Sequence, residues 1–123
     1  MRQGCDCCMG GSERLRVYIA GPYTNGAWEY NIRRVVYAAD QVVGVGHVPF
    51  IPHTMTSLWA LITPKPKDEW LEFDLNWLDA CDCLIRIYGE SPGGDREVEY
   101  ARSNGIDVYH GVNEFLQEVG RDA

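Results

Sequence analysis

The sequence predicts an α/β domain: an open, mostly parallel sheet of four to five strands in the order 2-1-3-4, with helices on both faces. Short runs rich in β-branched and aromatic residues alternate with longer segments whose apolar residues recur at three- and four-residue intervals. Nearly every run is closed by glycine or proline. The chain has 123 residues, 46% of them apolar, which suits one compact domain of ordinary size. Strands that alternate with helices pair in parallel, because each return to a parallel neighbour takes a right-handed helical crossover.

Leu15-Arg16-Val17-Tyr18-Ile19-Ala20 predicts the first strand, halted by Gly21-Pro22, and a loop follows to Gly26. From Trp28 to about Val43, the positions Ile32, Val35, Val36, Ala39, Val42 and Val43 form one apolar face, so a helix is expected, ended by Gly44 and Gly46. His47 to Ile51 predicts a short second strand, and Pro49 puts it at a sheet edge. Thr56 to Ile62, bracketed by Pro52 and Pro64-Lys65-Pro66, is expected to be a mobile helical or irregular flap. A helix capped by Asp68 or its neighbour then runs to about Ala80, with Trp70, Leu71, Leu75 and Leu78 buried and Asp74 displaced from that stripe. Cys83 to Tyr88 is the third strand, Pro92 to Ser103 a helix, Ile106 to Tyr109 the fourth strand, and Val112 to Val119 the last helix. Residues 1–14 are expected to be a flexible tail and residues 15–123 the single domain. Such a sheet is flavodoxin- or Rossmann-like, and the crevice beyond strands one and three is where ligands bind.

Charge narrows the function. The formal charge is -7, which excludes the basic face that a polymeric nucleic acid or an anionic membrane requires. The excess is local. Residues 68–99 carry ten acids (Asp68, Glu69, Glu72, Asp74, Asp79, Asp82, Glu90, Asp95, Glu97 and Glu99) against Arg86 and Arg96, a net -8. Most carboxylates in such a run belong to a solvated helix face. No stretch of about 18 apolar residues or secretory run is present, so a cytoplasmic protein is expected. Cys5, Cys7, Cys8, Cys81 and Cys83 lack the paired two-residue gaps of a zinc site, and no metal is expected.

Two glycine-rich loops, Gly21 to Gly26 and Gly89 to Gly94, fall at the crevice and should face each other. Ser91-Pro92 reads as an N-cap followed by proline at the first helical position, and Gly93-Gly94 leaves first-turn N–H groups open to an anion or simply makes a tight turn. Glu97 shares a face with Gly93 and points toward the crevice, whereas Glu99 is turned about 200° away. Asp74 ends near the same mouth. Two carboxyls there would meet the requirement of glycosidic cleavage, one as nucleophile and one as acid/base.

Three stretches carry a likeness to a known family: Val17-Tyr18-Ile19-Ala20-Gly21-Pro22-Tyr23-Thr24, Glu72-Phe73-Asp74-Leu75-Asn76-Trp77-Leu78 and Ser91-Pro92-Gly93-Gly94-Asp95-Arg96-Glu97. Over about residues 15–110 the chain resembles the nucleoside 2-deoxyribosyltransferase superfamily, which includes the 5'-deoxynucleotide N-glycosidases. The resemblance implies that Glu97 attacks the anomeric carbon of a deoxyribose, Asp74 protonates the departing base and later activates the acceptor, and Tyr18 orients Glu97. It also implies that Gly21, Ser91 and Gly93 line the sugar and its 5' end; Pro22, Tyr23, Thr24 and Gly94, which flank them in the two loops, are further candidate substrate contacts, as is His53, in the segment that falls where a base-covering flap would lie. Nucleotide-specific members carry a serine and an arginine where this chain has Pro22 and Thr24.

The expected substrate is therefore a small deoxynucleoside or its 5'-monophosphate, turned over without a cofactor. A homodimer or higher homo-oligomer is expected, since such family members complete the site with a neighbouring subunit. The alternative is a nucleotide-binding or sensing module on the same scaffold that turns nothing over.

Overall fold

The structure, a computed structural model, describes residues 14–22 and 27–119. The Cys5, Cys7 and Cys8 cluster and the predicted loop residues Tyr23 and Thr24 lie outside the described residues.

Nine elements follow in order: β1 (Arg16–Ala20), α1 (Trp28–Gly44), β2 (Val48–Phe50), α2 (Pro52–Ile62), α3 (Lys67–Asp79), β3 (Cys83–Arg86), α4 (Pro92–Ser103), β4 (Asp107–His110) and α5 (Val112–Glu118). Among the described residues the sheet has four strands, all parallel, ordered β2-β1-β3-β4. Pro49 does lie on the edge strand, where a missing N–H costs least.

Side-chain alternation along β1 divides the core in two. Val17 and Ile19 join Ile85, Val35, Ala38, Ala39, Val42 and Phe115 under α1 and α5. Tyr18 and Ala20 point the other way and join Leu84, Leu78, Val98 and Ala101 under α3 and α4. This places Tyr18, a fully buried side chain, on the face whose helices also carry Asp74 and Glu97.

The segment expected to be a helical or irregular flap is helical, the C-terminal part of an eleven-residue helix that begins at Pro52, where the proline sits at the first helical position with φ already set. One expected cap needs correction. In α3 the N-cap is Pro66, with no side-chain cap, and Asp68 is an exposed first-turn acid favoured by the helix dipole.

The two glycine-containing loops interlock. A Cβ on Gly21 would stand 2.8 Å from the Cβ of Ile87. One on Gly89, which has φ 127°, would stand 2.6 Å from Cγ of Pro22. Gly89→Ala therefore combines a disfavoured backbone with a clash against a rigid ring, and is expected to cost about 2–4 kcal/mol. Urea unfolding checks it: the midpoint should fall with the slope unchanged.

Candidate active site

Ser91 ends its extended segment as the N-cap of α4, and its Oγ accepts a hydrogen bond from the Gly94 N–H at 3.0 Å. Pro92 opens the helix without needing a donor. From that start, Gly94, Glu97, Val98 and Ala101 form the buried face of α4. Glu97 is only 7% exposed, while Glu99 faces solvent. The Tyr18 hydroxyl donates to Glu97 Oε2 at 2.7 Å, a bond from the centre of the sheet to the helix above it.

Asp74 comes from α3, and the structure corrects its expected place: with Leu78, one turn away, it forms the buried side of the helix. Its Oδ1 is buried and has no hydrogen-bond partner. An unpaired buried oxygen is costly, and each such exception calls for an explanation. Of the ten acids between residues 68 and 99, Asp74 and Glu97 are the two that are buried, and nearly all the others form the solvated face expected of such a run.

Burial pushes both carboxyls up, each to about 7. Their surroundings differ. On Glu97, burial is opposed by the Tyr18 hydrogen bond and the Arg86 charge, both of which favour the carboxylate, while Asp74 disfavours it. For Asp74 desolvation is the sole cause, and its buried Oδ1 has no donor to stabilise an anion. Where the pair holds one proton, these contacts favour charge on Glu97 and the proton on Asp74.

Both acids line one pocket of about 400 Å³ at the C-terminal edge of β1 and β3. Gly21, Ser91, Gly93 and Gly94 border it, as do His53, Pro52, Thr56 and Ala60 from α2 and Trp70 and Leu71 from α3. Lys67, Asp68 and Arg96 also line it. Trp70 is braced edge-to-face by Trp59 at 5.4 Å and Phe73 at 6.2 Å, which gives the pocket a rigid aromatic wall.

The other expected site residues fall as follows. Ser91 Oγ donates to the Gly21 carbonyl at 3.3 Å, so the two loops meet as predicted. Pro22 does not line the pocket; it is buried, with its ring close to Gly89 and its carbonyl held by His53. His53 Nε2 lies 2.8 Å from that carbonyl oxygen, which can only accept, so the ring is protonated on Nε2. Burial lowers the His53 pKa and keeps it neutral. His53 thus ties the β1 loop to α2 at the pocket's edge.

Sequence reasoning missed Arg86, and of the α2 wall it singled out only His53. The one available signal for Arg86 was a lone cation ending the apolar Cys83-Leu84-Ile85 run. A wider depression of about 880 Å³, lined in part by Arg86, Arg102 and His110, borders α4 but contains neither buried acid. Among the described residues, no three His, Cys, Asp or Glu side chains gather as a metal site, and no helix is long and apolar enough to cross a membrane.

Comparison with known proteins places the fold and a family. The profile of a family described as "Domain of unknown function (DUF7768)" matches residues 15–110. No curated protein matches the chain. The crystal structure of a conserved protein from Enterococcus faecalis V583 is similar with a TM-score of 0.67 and 18% identity, over 78% of this chain and 62% of that one. The chain thus spans 62% of that neighbour's length, and the likeness is one of fold.

Proposed function

We propose that this chain, which belongs to the DUF7768 family, cleaves or transfers the N-glycosidic bond of a deoxynucleoside or deoxynucleoside 5'-monophosphate through a glycosyl ester on Glu97. The observation that carries the reading is the unequal pair of buried carboxyls in one pocket. Glu97 is held by Tyr18 and favoured as an anion; Asp74 keeps a bare oxygen and is favoured as an acid.

The chemistry follows from that inequality. Tyr18 occupies Glu97 Oε2 and leaves Oε1 for attack at C1' of the sugar. As the C1'–Oε1 bond forms, the C1'–N bond breaks, its electron pair goes to the base, and the Asp74 proton neutralises the base nitrogen. Positive charge on the sugar in the transition state is stabilised by the Glu97 carboxylate, whose burial leaves it little screened. Asp74, now ionised, takes a proton from the acceptor as the acceptor attacks C1' and frees Glu97. Water as acceptor gives hydrolysis; a second base gives transfer.

The aromatic wall at Trp70 suits a stacked base, and Gly21 and Gly93 allow close approach of the sugar. A 5'-phosphate would meet the Ser91–Gly94 helix start, where Lys67 and Arg96 offset the acidic surroundings. A cytoplasmic homo-oligomer working without a cofactor, nucleic acid polymer or membrane completes the reading.

The test is incubation with a panel of deoxynucleosides and their 5'-monophosphates, with free base scored by chromatography. Release from at least one member is expected; release from none contradicts the proposal. Activity should peak near pH 7, falling at lower pH as Glu97 gains a proton and at higher pH as Asp74 loses one. Tyr18→Phe removes a bond that favours ionised Glu97, so the acid limb should move to higher pH and kcat should fall about 10- to 100-fold. A pH–rate profile of the variant checks both.

A further inference from the structure

We propose that Arg86 is a positioning residue for Glu97: its guanidinium locks the turn from Ile87 to Asp95 that launches α4, and brings a positive charge against the first turn of the helix that carries Glu97. This rests on the glycosyl-transfer reading above, but its physical core is separable from it.

Arg86 is the last residue of β3, paired in register with Ala20 of β1 and His110 of β4. Its side chain is 10% exposed and is spent on one turn. Nη1 donates to the Ile87 carbonyl; Nη2 donates to the Gly89 carbonyl at 3.0 Å and lies 3.4 Å from the Ser91 carbonyl. Nη2 also pairs with Asp95 Oδ1 at 2.9 Å. One planar fork thereby gathers carbonyls on both sides of Gly89 and ties them to the first turn of α4, a geometry open to arginine and not to lysine. Arg34 assists from α1, donating to the Tyr88 carbonyl at 2.6 Å.

Gly94 explains how the guanidinium fits there. A Cβ on Gly94 would stand 3.1 Å from Arg86 Nε, 3.2 Å from Cζ and 2.9 Å from Ser91 Oγ. The missing side chain lets α4 start against the guanidinium, and Glu97 follows one turn later. Asp95, which is 72% exposed, answers the Arg86 charge only from the solvent side, so the charge still acts on Glu97 and favours its anion. The groups facing Glu97 are then Tyr18 from β1, Asp74 from α3 and Arg86 from β3, with Arg96 lining the same pocket from α4. Arg86 is the positive member of the first three, opposing Asp74.

The experiment compares wild type, Arg86→Lys and Arg86→Gln by two readouts. One is the titration of the Glu97 carboxyl, followed by carbon NMR with Glu97→Gln to assign it. The other is the pH profile of base release. In R86Q the Glu97 titration should rise by about one pH unit, and the acid limb of activity should move with it. In R86K, which keeps the charge and loses the fork, the titration should stay within about half a unit of wild type, while kcat falls at least about tenfold. A Glu97 titration in R86Q equal to that of wild type overturns the inference. If R86Q does not fold, R86K decides: wild-type kcat with the lysine overturns it. If wild type releases no base but the R86Q titration still rises, the glycosyl-transfer reading fails and the electrostatic role of Arg86 stands. If R86K shifts the titration as far as R86Q, the charge account fails.

Discussion

Replacing Glu97 with alanine is expected to abolish release of free base, by at least about a thousandfold, because the other carboxyls of the pocket are Asp74, the proton donor, and Asp68, an exposed acid that no hydrogen bond from Tyr18 holds for attack. Tyr18 would lose the acceptor of its 2.7 Å bond, and a small void would open beneath α4. Glu97→Gln avoids both, since its amide oxygen still accepts from Tyr18 and its volume is nearly that of the acid. It should be just as inactive, because an amide is neither an anion nor a nucleophile. Comparison of the two variants by chromatographic base release separates loss of the nucleophile from loss of packing. Base release by either variant at the wild-type rate would remove Glu97 from the mechanism.

Asp74→Asn should slow release about a hundredfold to ten-thousandfold, the usual worth of a placed general acid. The loss should depend on the leaving group. A purine alkylated at N7 departs as a neutral base without needing a proton, so its deoxynucleoside should be cleaved by the variant at close to the wild-type rate. The same substitution should stabilise the fold. Burial raises the Asp74 pKa from 3.8 to about 7, so in the folded state the proton is bound more tightly than in the unfolded chain. The stability tied to that proton is present below pH 4 and is lost as pH rises through 7. Asparagine has no charge to bury, and its advantage over wild type should grow by something on the order of 4 kcal/mol between pH 4 and pH 8. Denaturant unfolding of both proteins across that range measures it. A constant difference would mean that Asp74 is not held protonated by the fold.

These two acids also mark how far the sequence could be read. The sheet order followed from alternation and crossover rules, which concern backbone connection and leave little choice. Glu97 could be separated from Glu99 because helical periodicity gives them opposite faces, and the structure buries the first and exposes the second. The Ser91-Pro92 helix start was visible for a similar reason, since capping is a local property. Asp74 was harder: an acid among Trp70, Leu71, Leu75 and Leu78 is normally placed off the apolar stripe, and here it lies on it. That inversion breaks a local rule at one residue of the pocket, the kind of exception a buried site produces. Arg86 was harder still: the lone cation at the end of β3 was visible, but its role arises from carbonyl groups at Ile87, Gly89 and Ser91, and backbone carbonyls carry no residue-specific signal. The start of α2 at Pro52 was missed because proline both ends and begins helices, and neighbours in space decide which.

The central claim is a covalent bond between Glu97 and the sugar, and mass spectrometry of the intact protein tests it most directly. A slow substrate, such as a deoxynucleoside bearing fluorine at C2', should accumulate the ester because the electron-poor sugar resists departure from Glu97 as well as attack. After acid quench, the protein should gain the mass of one fluorinated sugar. Fragmentation should place that mass on Glu97, and Glu97→Gln should gain nothing. Base release by wild type with no adduct, or an adduct on any other residue, would contradict the account.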